Sequence, residues 1–314
     1  MEGNVSSTDI LLVSLGSTTG LRASDEAFAT LLRGAGATVQ IARAAPQRQV
    51  RTLALTDLLW ARASAAAARS ALKATAPRAI VYSTTTAALL WPRPGAIRFD
   101  ASSAENRPGH DGIWQRPLER RRLAEAPLLI PTSAAALAAS PAAGADAVII
   151  PIPVAASGSP RPQTERQVAA ITYASDPEKK GLGRVLAAWH QARRNDERLV
   201  VAGLERNRLP DPGPGVELVG KLAPEQYREL LGRSKLFVCA PRREDYGIAQ
   251  LEALALAREL DARLVGDDLA GAIRTALDDP LPDYAARAGD LLEPYSFAAI
   301  QGIVSDRLLA RLLG

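Results

Sequence analysis

The chain has a single cysteine, Cys239, in the apolar run KLFVCAP, so it cannot form an intramolecular disulfide, and burial as a small hydrophobe is the expected fate of that thiol. Histidine is nearly as scarce. His110 and His190 lie far apart with no cysteine or histidine at ligand spacing around them, which excludes the usual zinc-binding patterns. Aromatic residues make up only 4%, and no module for stacking bases is visible, so nucleic acid is not an expected partner. No uninterrupted apolar stretch of about 18 residues is present, and MEGNVSSTDI does not read as a signal peptide. The expectation from these absences is a soluble, cytoplasmic protein. Lysine occurs only as Lys73, Lys179, Lys180, Lys221 and Lys235, so almost all of the basic charge is arginine. The net charge of +4 and the pI near 9.4 suit an anionic ligand, a phosphate or an acidic membrane surface.

What is present is a rhythm of short apolar runs and longer segments of helical period, the pattern of βα units. With 314 residues, 47% of them hydrophobic, there is enough chain for two domains with separate cores. DILLVSLG (9–16), TVQIAR (38–43), AIVYST (79–84) and AIRFDA (96–101) read as strands. Helices are expected from about Ser24 to Gly34, over 51–75, and over the very basic 116–126. PLLIPTS (127–133) and DAVIIPIP (146–153) close this half. The Ser-, Pro- and Gly-rich VAASGSPRPQTERQ (154–167) reads as a linker. The rhythm then restarts, with strands at 168–175, 198–204, 215–222, 235–241 and 262–266, and helices at 181–195, 224–233 and 247–259. An amphipathic helix ends the chain. The expected organisation is a first domain over 1–153, the linker 154–167, a second domain over 168–294, and a terminal helix in 295–314. Both domains are expected to be α/β, Rossmann-like, doubly wound parallel sheets facing across a cleft, with ligands at the C-terminal ends of the strands.

Four features of the second half carry the chemistry. SDPEKKGLG (175–183) is a strand-to-helix turn in which glycines permit close backbone approach and a lysine near a helix start suits a diphosphate, although taken alone it reads first as a solvated turn. VVAGLERN (200–207) ends a strand in Gly203 at the same sheet edge. VELVGKLAPEQYRELLGRSKLFVCAP is strand, helix, strand. EDYGIAQLEALA (244–255) puts one acid before a helix start and a second inside it.

In this order and spacing the segment resembles the retaining glycosyltransferases of the B-type fold, in particular the large family four that uses nucleotide-sugar donors (glycosyl transferases group 1). The resemblance is carried by Glu244, Tyr246, Gly247, Ile248, Leu251, Glu252 and Ala253, after the Lys-Gly turn and the strand ending in glycine. It implies a retaining transfer of a sugar from a nucleotide-diphosphate sugar, with no cofactor, and with no metal, since no Asp-x-Asp motif stands in a suitable place. Gly247 and Ile248 would offer backbone N–H groups to the diphosphate, and Tyr246 belongs to the same donor-binding stretch. Glu252 would accept the ribose hydroxyls, Glu244 would reach the transferred sugar, and Lys180 would stabilise the leaving diphosphate. The resemblance also implies that the terminal helix in 295–314 crosses back to the first domain. Gly16 and Gly203 are counted among the donor-binding residues, Gly16 as a place where donor or acceptor approaches closely.

The sequence departs from the family at three points. Tyr173, Ala174 and Ser175 stand where an arginine is usual, with Arg242 or Arg243 as substitutes. Asp100 stands where a histidine often ends the fourth strand, which makes it a candidate catalytic group. The stretch after Ala255 is shortened. These departures leave open the alternative of a non-catalytic or degenerate protein of this fold that binds a nucleotide sugar or a partner. A nucleotide-sugar epimerase is weaker still, for want of histidines and acids in the first half. The acceptor is unspecified, whether saccharide, lipid or small molecule. The basic helix 116–126, with Arg116, Arg120, Arg121 and Arg122, is a candidate for peripheral membrane contact or for an acidic acceptor.

Overall fold

The computed structural model describes residues 8–107, 109–154, 165–241, 250, 251, 253, 268–280 and 290–314. The chain divides into two compact units, Met1–Pro153 with Phe297–Gly314, and Val154–Ser296.

The first unit is a five-stranded parallel sheet ordered β2-β1-β3-β4-β5. Its strands are β1 (Ile10–Ser14), β2 (Val39–Arg43), β3 (Ala79–Tyr82), β4 (Ala96–Phe99) and β5 (Leu129–Pro131). The helices between them are α1 (Thr19–Gly34), α2 (Leu53–Ala74), α3 (Thr85–Ala88), α4 (Ser103–Asn106) and α5 (Gln115–Glu125), with α6 (Ala134–Ala138) after β5. Successive side chains along a strand serve opposite faces. Ile10, Leu12, Val81, Ala96 and Ile130 pack with Phe28, Leu31 and Leu32 of α1, while Leu11, Val13, Tyr82, Ile97 and Leu129 pack with Ala68, Ala71, Trp91 and Leu123. Both faces are therefore covered, which is why these strands read as continuous apolar runs.

Helix starts follow from capping hydroxyls. Thr18 accepts from the Leu21 N–H, so α1 begins at Thr19, earlier than the expected Ser24, which lies inside the helix. The 51–75 segment is one helix, begun by Thr52. DAVIIPIP forms no full strand. Ala147 bridges Leu129, and the Val148 and Ile150 N–H groups donate to Leu129 and Pro131, but Pro151 and Pro153 have no N–H to extend the ladder.

The second unit contains a four-stranded parallel sheet ordered β8-β7-β6-β9 among the described residues. These are β6 (Val168–Tyr173), β7 (Leu199–Ala202), β8 (Val216–Gly220) and β9 (Ser234–Phe237). One face is covered by α7 (Leu182–Ala192), through Val185 and Trp189, and by α9 (Leu269–Asp278), through Ile273 and Ala276. The other carries α8 (Pro224–Gly232), with Tyr227 and Leu231 packed beside Ala253. Most of the linker 154–167 and the strand expected at 262–266 lie outside the described residues.

The terminal helix is α10 (Phe297–Ile303), continued by a π-type turn (Val304–Leu308) and α11 (Leu309–Leu313). Ile300, Val304 and Leu308 are fully enclosed in the core that α1 shares with the first sheet, and the Gln301 amide donates to the Leu31 carbonyl. The return of the last 18 residues to the first unit is thus an apolar packing event. No helix among the described residues is long and apolar enough to cross a membrane.

Candidate functional site

The loops that leave the C-terminal edges of the two sheets hold the predicted residues that can be placed. In the second unit, β6 ends at Tyr173 and the chain turns through Ser175–Gly181 into α7. The turn is closed by the Lys180 N–H donating to the Asp176 carbonyl at 2.9 Å, and by the Lys179 N–H donating to the Asp176 side chain at 3.1 Å. Lys180 is half-buried there. Gly181 has φ +66, and a Cβ on it would lie 2.0 Å from the Ala240 carbonyl oxygen. Arg184 also donates to that oxygen, at 3.2 Å. Glycine here does two jobs: it adopts the left-handed conformation and it lets the Lys180 turn press against the chain leaving β9. That chain runs directly into Glu244. Cys239, on the same segment, is half-buried rather than enclosed.

Gly203 follows β7 with φ +86, and its N–H donates to the Gly220 carbonyl at 2.7 Å. A Cβ on it would come 2.9 Å from the Tyr173 ring. Tyr173 stands where the resemblance implies an arginine. Its ring instead covers Gly203 and meets the Tyr227 ring edge-on at 5.5 Å. Beyond Gly203 an open hollow of about 540 Å3 is lined by Glu205, Arg206, Asn207, Val219 and Gly220. The sequence marked VVAGLERN for Gly203 alone; the hollow forms because the β7–β8 pairing sets the end of β8 beside the segment after β7.

Glu244, Tyr246, Gly247, Ile248 and Glu252, with Arg242 and Arg243, lie outside the described residues. Gln250, Leu251 and Ala253 are helical, and Ala253 is buried against Ile171, Val200 and Ala202.

In the first unit Gly16 follows β1 with φ +56. Its carbonyl accepts from Arg22 Nη1 at 2.8 Å, so the Arg22 side chain folds back across the turn. Asp100 follows β4 and is half-buried. In the sheet order β3 lies between β1 and β4, so Gly16 and Asp100 leave the same edge roughly 10 Å apart. His110 is exposed on the loop that follows.

Two buried polar networks support this edge. Arg98, only 3% exposed within β4, points at α1. It donates to Ser24 Oγ at 2.8 Å, pairs with Asp25 at 3.5 Å, and lies 5.0 Å from the Phe28 ring centre. Asp25 also accepts from Ser14 Oγ at 2.5 Å, and Ser83 Oγ accepts from the Leu15 N–H. Burial pushes the Asp25 carboxyl above its ordinary range, against the pull of Ser14 and Arg98. The signal for this network was legible in AIRFDA, since a charged residue inside a buried strand requires a partner. In the second network Glu119 accepts from the Ser103 N–H at 2.8 Å and from Ser103 Oγ at 2.9 Å, pinning the loop after Asp100, and burial raises its pKa as well. Asp57 takes Arg107 at 2.6 and 3.2 Å and thereby holds the far end of that loop.

Residues 166–260 match the family model described as glycosyl transferases group 1. No curated protein sequence matches the chain. Among solved structures, HepE of Anabaena, determined with UDP and glucose, is similar with a TM-score of 0.65 at 16% identity, covering 96% of this chain and 100% of that one. TarM of S. aureus, determined as a variant with UDP and sugar ligands, gives 0.57 at 12% identity, over 75% of this chain and 55% of its own. The pneumococcal O-GlcNAc transferase GtfA, with UDP and GlcNAc, gives 0.55 at 12%, over 75% and 57%. The chain is therefore built on the two-domain, Rossmann-like B-type fold, and residues 166–260 are similar to the group 1 glycosyl transferases.

Proposed function

We propose that the protein moves a sugar from a nucleotide-diphosphate sugar to an acceptor with retention of configuration and without a metal ion. The observation that carries this reading is the packing of the Lys180–Gly181 turn against Ala240, whose chain continues into the two-acid motif within the family-matched segment. The UDP-glucose bound by HepE, and the UDP and sugars bound by HepE and GtfA, support the same substrate class.

In this reading the donor diphosphate lies between the Lys180 turn and the backbone N–H groups of Gly247 and Ile248. Lys180 neutralises charge as it grows on the leaving diphosphate. Glu252 accepts from the ribose hydroxyls and Glu244 from hydroxyls of the sugar. Tyr246 and Gly203 belong to the donor site's edge, and the hollow at Glu205–Asn207 is open to the nucleoside end. Gly16 and Asp100 stand on the acceptor side, where Asp100 orients the acceptor hydroxyl. The bond from the anomeric carbon to the phosphate oxygen breaks as the acceptor oxygen bonds to that carbon on the same face. The acceptor's proton passes to the departing phosphate oxygen.

Calorimetric titration with UDP and GDP, paired with a donor-hydrolysis assay, tests this. The expected result is binding of one nucleotide, lost in Glu252→Ala, and hydrolysis reduced at least about hundredfold in Glu244→Ala and Lys180→Ala. Absence of nucleotide binding, or activity equal to the parent in both variants, sinks the proposal. Nucleotide binding with no donor hydrolysis by the parent is the outcome expected of the non-catalytic alternative.

A further inference from the structure

A second concavity lies in the first unit, between α2, the segment that follows α3, and α5, where Trp91 packs 5.5 Å from the Tyr82 ring. The hollow has a volume of about 390 Å3 and is lined by Arg62, Ala65, Arg69, Leu90, Trp91 and Arg122. This size falls within the roughly 300–1,000 Å3 of small-molecule sites.

The sequence builds it simply. Arg62 and Arg69 are seven residues apart on α2, two turns or about 10.5 Å along one face. Between them on that face is Ala65, whose methyl group leaves the gap unfilled. Leu90 and Trp91 come from the segment after α3, and α5 brings Arg122 from the other side. Arg122 is held in place: its Nε donates to the Leu89 carbonyl at 2.9 Å, its Nη1 to Glu125 at 2.6 Å, and its guanidinium lies 5.1 Å from the Trp91 ring centre. Arg62 and Arg69 are exposed and have no carboxylate partner among the described residues. No acid lines the hollow, and Glu125, the acid beside it, is shared between Arg121 and Arg122. Asp57 and Glu119, the other acids on these helices, are engaged by Arg107 and Ser103.

Three arginines line one concavity that no acid lines, and the positive potential they set up there favours an anion. Their planar forks match phosphate oxygens in pairs. We propose that Arg62, Arg69 and Arg122 form a site for a phosphate-bearing ligand of the diphosphate class, separate from the donor site. The same chemistry is offered by a soluble phosphate ester and by an anionic lipid headgroup.

Inorganic pyrophosphate and vesicles of phosphatidylcholine containing phosphatidic acid are the two probes. Calorimetry reads the first and vesicle sedimentation the second, for the parent, Arg62→Ala, Arg69→Ala, the double variant, and Lys180→Ala. Alanine on these exposed helical positions preserves the helix. Affinity is expected to fall about tenfold in each single variant and about hundredfold in the double one, with Lys180→Ala retaining this binding. Loss confined to pyrophosphate assigns a soluble ligand. Loss of vesicle binding, with pyrophosphate as competitor, assigns a headgroup. No binding to either probe, or binding equal to the parent in the double variant, overturns the site. So does binding abolished by Lys180→Ala alone, which belongs to the donor site instead.

Discussion

Gly181→Ala and Gly183→Ala are two residues apart and should have opposite signs. At Gly181 the backbone is left-handed at φ +66, and the added Cβ would sit 2.0 Å from Ala240 O and 2.6 Å from Ala240 C. Both neighbours are backbone, so no side chain can swing away. The left-handed conformation costs a non-glycine residue about 1–2 kcal/mol. Overpacking against a fixed neighbour adds about 1–3 kcal/mol. The expected loss is therefore about 2–5 kcal/mol from a domain whose whole stability is of order 5–15 kcal/mol. At Gly183, exposed within α7, nothing lies within 4 Å of the added Cβ, and alanine should stabilise by up to about 1 kcal/mol. Urea unfolding, read at 25 °C by circular dichroism, measures both. UDP titration of folded Gly181→Ala reads the second consequence, because relief of the clash must move either the Lys180 turn or the chain entering Glu244. A loss below about 1 kcal/mol with unchanged nucleotide affinity would refute the packing argument and the role assigned to that contact.

Other outcomes follow from the buried polar groups and the terminal helix. Arg98→Met leaves Asp25 buried without its guanidinium and should cost about 3–5 kcal/mol, whereas the double variant Arg98→Met with Asp25→Asn should recover part of it; unfolding of all three variants decides. Asp25 has a raised pKa in the folded protein, so it holds its proton over a window just above the ordinary carboxylate range where the unfolded chain has lost it. Its contribution is greatest below that window and is lost as pH rises through it, so Asp25→Asn should flatten a fall in stability with rising pH. Glu197 runs the other way. Burial alone would raise its pKa, but the paired bonds from Arg274 at 2.8 and 3.0 Å and the Arg194 N–H hold it lower. Its contribution is present above the ordinary carboxylate range and disappears as pH falls through its lowered value. Glu197→Gln should cost about 1–2 kcal/mol at neutral pH and little in acid. Ile300→Ala, which opens a cavity between α10 and α1, should destabilise the first unit by about 2–4 kcal/mol, seen as a lower urea midpoint.

Much of the fold was legible in the order of residues because its strands are covered on both faces. LLV, IVY and LVV then need no alternation to be recognised, and four of the helices, α1, α2, α3 and α6, begin after a threonine or serine that caps them. The errors occurred where one residue changes the local balance. Thr18 draws α1 forward by a turn, and the prolines at 151 and 153 stop a ladder that the apolar pattern of DAVIIPIP favours. The Lys180–Gly181 turn could be found as a phosphate-friendly element, but its glycine does not reveal what it must avoid. The arginine hollow was visible only as a basic stretch at 116–126, since two of its three guanidinium groups come from α2.

The sequence alone carried two βα series, the restart at residue 168, and the two-acid stretch 244–255 by which the chain resembles the group 1 glycosyl transferases. Those are local properties, written in propensity, capping and spacing. Tertiary structure alone decided the order β2-β1-β3-β4-β5 and the burial of Arg98 against Asp25. It also decided that Gly181 is required by Ala240, a residue 59 positions later in the chain. Each of these joins residues far apart in sequence, and such pairings are selected by the packing of whole faces rather than by any neighbouring residue.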